Sequence, residues 1–164
     1  MEMVALMPHT GKEEALALAK RLISRMNGAG IEVWLEPEAA KTVGEMGLND
    51  DMADLPKADL AVVLGGDGAL LKAARMAAPH GLPILGVNLG HLGFLTAVEP
   101  SGLDDAFDRV LEGRYHVEER LMLKASVRRE GRVIQSFHGL NDAVITRGIF
   151  ARVVQYEIFI DSVL

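Results

Sequence analysis

The stretch that most restricts the fold is DLAVVL, residues 59 to 64, which runs straight into Gly65-Gly66-Asp67-Gly68 and then into the helical pattern ALLKAARM. A strand with one wet face alternates apolar and polar residues, whereas a continuous apolar run belongs to a strand covered on both faces. Such strands lie in parallel sheets sandwiched by their crossover helices. The chain is therefore expected to open with an α/β domain in three layers. A carboxylate caught between glycines at the end of a buried strand is an odd place for a charge, and it sets the functional question.

The neighbouring sequence repeats the strand and helix alternation. VALMP (4 to 8) reads as a short buried strand, and Thr10-Gly11-Lys12-Glu13 fits a capping box opening a helix over EEALALAKRLISRM that ends near 27 to 30. IEVWL (31 to 35) is a second strand, followed by a polar connection with at most a short helix. After the glycine loop come a helix over about 68 to 78, closed by Pro79 and Gly81, and a fourth strand PILGV. A last helix is expected over about 101 to 112.

Beyond it the pattern changes to alternation broken by turn signals such as Glu130-Gly131-Arg132, which predicts antiparallel β structure. Strands are expected to begin at Asn141-Asp142 and to run through ARVVQYEIFID. The fold class is thus a parallel three-layer α/β domain over 1–113, followed by the start of an antiparallel β domain over 114–164. The final strand reaches Leu164 without a closing partner, so the chain is expected to stop inside its second domain.

The 164 residues, 49% hydrophobic, suffice for one ordinary core and are marginal for two. No apolar run approaches the roughly 20 residues that span a bilayer, and the start at Met1 has neither a basic n-region nor a small-residue cleavage site. A soluble, cytoplasmic protein without membrane partners is expected. The absence of cysteine excludes disulfides and thiolate chemistry, and the five histidines lack metal-ligand spacing, so no protein-bound metal site is expected. A formal charge of −6 argues against a nucleic-acid partner. A phosphate-bearing ligand would have to be held locally, by helix N-termini and glycine-loop amides.

Three stretches meet that requirement. In open parallel sheets, ligands bind beyond the carboxyl ends of the strands, which is where Gly65 to Gly68 fall. The amides around Gly68 and Ala69 are expected to point outward as anion donors, and Asp67 has three open roles: N-cap of the next helix, ligand of a nucleotide's Mg²⁺, or general base toward a hydroxyl. The loop is neither a Walker A motif nor a dinucleotide fingerprint, because Leu70 and Leu71 stand where those motifs need Lys or Gly. GVNLGHLGFL (86 to 95) is a second glycine-rich loop, with the amide of Asn88 and an apolar wall in Phe94 and Leu95. The third is LNDAVITRG (140 to 148), where Asn141-Asp142 is either an ordinary turn pair or, if the domains close, an amide and carboxylate opposite Asp67. Lys72 follows Gly68 by about one helical turn; Arg75, Arg147 and Arg152 are further cationic candidates.

Taken in order, the GGDG loop continuing as GALLKAAR, GVNLGHLGFL, RYHVEERLML, LNDAVITRG and ARVVQYEIFID resemble the NAD kinase family over nearly the whole chain. The resemblance implies transfer of a phosphoryl group from ATP or polyphosphate, with Mg²⁺ or another divalent cation, to the 2′-hydroxyl of the adenosine ribose of NAD. It implies Asp67 as catalytic base, Gly68 against the dinucleotide, Asn141 and Asp142 on NAD hydroxyls, Lys72 and Arg152 lining the nucleotide, and Phe94 beside adenine, with Asn88 in the loop that faces the ligand. It also implies a dimer or tetramer. Members of the family continue into a second Asp-Gly segment and a Thr/Ser-Gly-rich stretch that this sequence lacks, so the 164 residues are expected to hold part of the site and to have weak or no activity alone. GGDG by itself is shared with lipid kinases, which leaves a lipid or small-alcohol kinase and a non-catalytic nucleotide-binding module as alternatives.

Overall fold

The computed structural model describes residues 1–44, 51–90, 93, 95–146 and 155–161. Four parallel strands form the sheet: β1 (Met3–Pro8), β2 (Glu32–Leu35), β3 (Leu60–Gly65) and β4 (Ile84–Asn88), in the order β2-β1-β3-β4. Every residue of β1 and β3 is buried, as a doubly covered strand requires. Alternate residues serve opposite faces. Val4, Leu6, Val62 and Leu64 pack against α1 (Glu13–Gly28), α2 (Pro37–Val43) and α4 (Leu103–Leu111), whereas Ala5, Met7, Ala61 and Val63 pack with Ala73 and Ala77 of α3 (Asp67–Ala77). The expected three layers are present.

Local chemistry explains the elements. In α1 the buried Ala15, Ala19, Leu22, Ile23 and Met26 recur at helical spacing, and Gly30, at φ +73°, turns the chain out of the helix toward β2. Arg25 of α1 lies over the Phe107 ring, 5.4 Å from its centroid, and 3.1 Å from Asp104, tying α1 to α4. The capping box is not formed. The residue preceding α1 is Lys12, with no side-chain cap, while the Gly11 N–H donates to His9 Nδ1.

After α4 the chain is extended to β5 (Leu123–Arg129), which pairs antiparallel with β6 (Arg132–Gly139). Glu130 and Gly131 form the turn, both at positive φ, a tight hairpin as the turn signal implied. The expected strand at Asn141-Asp142 does not form: residues 141–146 are irregular and exposed. The expected last strand is likewise absent from residues 155–161, apart from an isolated bridge at Ile160; residues 151–154 lie outside the described part. No described helix is long and apolar enough to cross a membrane.

Candidate functional site

The strand order places the site. β2 and β3 flank β1 on opposite sides, so the connections diverge at the carboxyl ends of β1 and β3, where a crevice opens in sheets of this kind. A cleft of about 210 Å³ lies there, lined by Pro8, His9, Thr10, Glu36, Gly68, Ala69 and Lys72 among others.

The two glycine loops meet at this edge. Gly65 pairs with Asn88 in the parallel register, and the Leu89 N–H donates to the Gly65 carbonyl at 3.0 Å. Asn88 is half-buried at the end of β4. The chain then returns beside β4, with the Asn88 N–H bonded to the Val98 carbonyl at 2.8 Å. Lys12 donates to the Leu89 carbonyl and holds the near end of the second glycine loop.

Asp67 does not cap α3. Gly66 is the capping residue and Asp67 the first of the helix; its Oδ1 accepts a hydrogen bond from the Leu95 N–H at 3.1 Å. The carboxylate therefore ties the second glycine loop to the first. Of the two amides expected to face a ligand, Ala69 N–H is already bonded to the Gly66 carbonyl at 3.0 Å. A Cβ added at Gly66 or Gly68 would meet nothing within 4 Å, so the backbone is open to approach at both. Gly65 differs: a Cβ there would stand 2.6 Å from that of Ala69, and glycine is what lets α3 start so close to β3.

Lys72 lines the cleft together with Gly68, with its ammonium 2.5 Å from Glu36 Oε1 and 3.8 Å from Glu38 Oε2. Its hydrogen bond to Glu36 holds the ammonium above its ordinary pKa, against a smaller effect of burial. Sequence reasoning missed Glu36 as part of the cleft. The available signal was its position directly after the last apolar residue of β2, at the same carboxyl edge as the glycine loops.

The other expected residues are placed less closely. Asn141 and Asp142 are exposed. Leu140, the residue before them, shares an apolar groove of about 780 Å³ with Leu70 and Leu95, on the side of α3 that follows Asp67. Arg75 is exposed. Phe94, Arg147 and Arg152 lie outside the described residues.

Residues 4–115 match the family model described as the ATP-NAD kinase N-terminal domain. The chain belongs to the NAD kinase family. An NAD kinase of Symbiobacterium thermophilum is 42% identical over 162 residues, which are 96% of this chain and 56% of the relative. Another from Carboxydothermus hydrogenoformans is 48% identical over 106 residues, 65% of this chain and 38% of that protein. The chain thus spans little more than half the length of the curated NAD kinases it matches most fully. Among solved structures, yeast NADH kinase complexed with NADH aligns at a TM-score of 0.73 and 18% identity, over 86% of this chain and 47% of that one. An NAD kinase from Archaeoglobus fulgidus in complex with ATP aligns at 0.50 and 21%, over 81% and 45%. These likenesses show that the fold is shared.

Proposed function

We propose that this chain carries the nucleotide-binding half of an enzyme that transfers a phosphoryl group from ATP, or polyphosphate, to the 2′-hydroxyl of the adenosine ribose of NAD. The observation that carries this reading is the pairing of Gly65 with Asn88, which sets the two glycine loops side by side with the Asp67 carboxylate between them, in a chain of this family. Phosphoryl transfer asks the protein mainly for positioning and for charge placed where it develops.

In this reading Asp67 accepts the proton of the attacking ribose hydroxyl, and the open backbone at Gly66 and Gly68 lets the substrate approach the start of α3, whose dipole favours phosphate. Lys72 and, from outside the described residues, Arg152 face the nucleotide; Asn88 and Phe94 border the dinucleotide, and Asn141 and Asp142 hold its hydroxyls. A divalent cation such as Mg²⁺ would neutralise the triphosphate. The NADH and ATP complexes of the two aligned structures support small-molecule substrates of this class. We further propose a division into an α/β part over 1–113 and a partial β part over 114–164, a cytoplasmic location and homo-oligomeric assembly.

Because the relatives are nearly twice as long, this chain alone is expected to bind NAD with weak or no turnover. The test is calorimetric titration of NAD, paired with a coupled assay for NADP. Saturable NAD binding sustains the reading. Phosphorylation of a lipid or small alcohol in place of NAD would replace it with the lipid-kinase alternative, and NAD binding with no turnover in any longer form of the protein would favour a non-catalytic module.

A further inference from the structure

Gly93 stands closer to Asp67 than any residue with a side chain could. A Cβ built on it would lie 2.3 Å from Oδ1, 2.8 Å from Cγ and 3.1 Å from Oδ2 of the carboxylate. Two residues further on, the Leu95 N–H donates to that same Oδ1. The backbone at Gly93 lies outside the left-handed region, so its φ does not require glycine. What requires it is the approach to the carboxylate.

Two other crowded glycines of the region, Gly65 and Gly86, serve packing. A Cβ at Gly65 would meet Ala69 Cβ at 2.6 Å, and one at Gly86 would meet Leu70 Cδ1 at 2.5 Å, both contacts between helix and sheet. At Gly93 the obstacle is the charged end of a short side chain with two rotatable bonds. Relief of an added methyl is therefore rotation of the carboxylate and not displacement of the backbone, and rotation removes Oδ1 from the Leu95 N–H.

We propose that Gly93 is a positioning residue: its missing side chain holds the Asp67 carboxylate in the rotamer that meets the Leu95 amide. The proposal deepens the reading of Asp67 as the base, since a base must stand within hydrogen-bond reach of the proton it takes.

The test uses nuclear magnetic resonance on the 164-residue chain and its Gly93→Ala and Asp67→Ala variants. In Gly93→Ala the χ1 of Asp67, from three-bond couplings, should leave its wild-type rotamer. Exchange of the Leu95 amide should rise about tenfold, to the level seen in Asp67→Ala, with the melting temperature nearly unchanged. An unchanged rotamer with unchanged Leu95 exchange overturns the proposal. Should Gly93→Ala fail to fold, the double variant decides: recovery of the fold in Asp67→Ala/Gly93→Ala supports a clash with the carboxylate, and no recovery overturns it. These readouts need no substrate, so they stand or fall separately from NADP formation.

Discussion

The Lys72 ammonium stands 2.5 Å from Oε1 of Glu36, joining α3 to the residue that follows β2 across the cleft. Glu36 is only 12% exposed and Lys72 55%, so loss of the lysine would leave a nearly buried carboxylate facing the proposed triphosphate. Lys72→Gln is expected to weaken ATP binding about tenfold, or about 1.4 kcal/mol. Glu36→Gln, which releases the ammonium, is expected to hold or raise affinity, and the double variant to fall between. Calorimetry at fixed ionic strength checks this; equal weakening by both single variants would mean that Glu36 itself contacts the nucleotide. The raised pKa of Lys72 means that the pair is intact below the ordinary lysine value of 10.5 and is lost as pH climbs through the higher folded value. Its contribution should therefore be flat over about pH 6 to 9.

Asp67→Asn separates the structural and chemical roles of the carboxylate. Asparagine keeps an oxygen that can accept from the Leu95 N–H, so the fold and NAD affinity should stay close to wild type. It cannot take a proton, and NADP formation in the active protein should fall by about 10²- to 10⁴-fold. Turnover near the wild-type rate would remove the base assignment.

Asp59 supplies a pH-dependent element of stability. Its Oδ2 accepts the Glu2 N–H at 2.5 Å and the Met3 N–H at 3.1 Å, fastening the start of the chain to the start of β3. These hydrogen bonds hold its carboxyl below the ordinary value of 3.8, outweighing desolvation. A depressed folded pKa gives stability that is present above the unfolded value and lost as pH falls through the folded one. Asp59→Asn is expected to cost about 0.5–1 kcal/mol at neutral pH, a figure already reduced for the exposure of the side chain. The difference from wild type in urea unfolding should shrink steadily below about pH 4. A difference that persists unchanged at low pH would refute the charge-based account.

The sheet was legible because Leu60 to Leu64 and Val4 to Pro8 encode their own burial, and because loops at the ends of consecutive strands must share an edge, as Gly65 and Asn88 do. Contacts set by the order of the strands were not legible. The ion pair of Glu36 with Lys72 depends on β2 and β3 flanking β1, and the bond from Leu95 to Asp67 depends on how the second loop folds back. Thr10 had the right neighbours for a cap, but His9 meets the Gly11 N–H and the helix starts after Lys12. The apolar residues Val144 and Ile145 read as a strand. A strand, however, is a relation between two segments, and these residues are 72% and 74% exposed with no paired strand among the described residues.

The glycines of the GGDG loop should divide by what their missing side chains make room for. At Gly65 an added Cβ would press on Ala69 Cβ at 2.6 Å, an atom fixed to the helix backbone. Gly65→Ala is therefore expected to cost about 1–3 kcal/mol of stability, the usual range for overpacking. At Gly68, already inside α3 and facing open space, alanine should be neutral or stabilise by up to about 1 kcal/mol through helix propensity. The same methyl would stand where the proposed ligand approaches the backbone, so Gly68→Ala should melt at or above the wild-type temperature while losing nucleotide affinity, and Gly66→Ala, at the N-cap where alanine is poorer than glycine, should lose up to about 1 kcal/mol with a similar loss of binding. Thermal unfolding and NAD titration of the three variants check the division. Equal destabilisation at all three positions would show that the whole loop is a packing device, and unimpaired binding by Gly68→Ala would remove the start of α3 from the site.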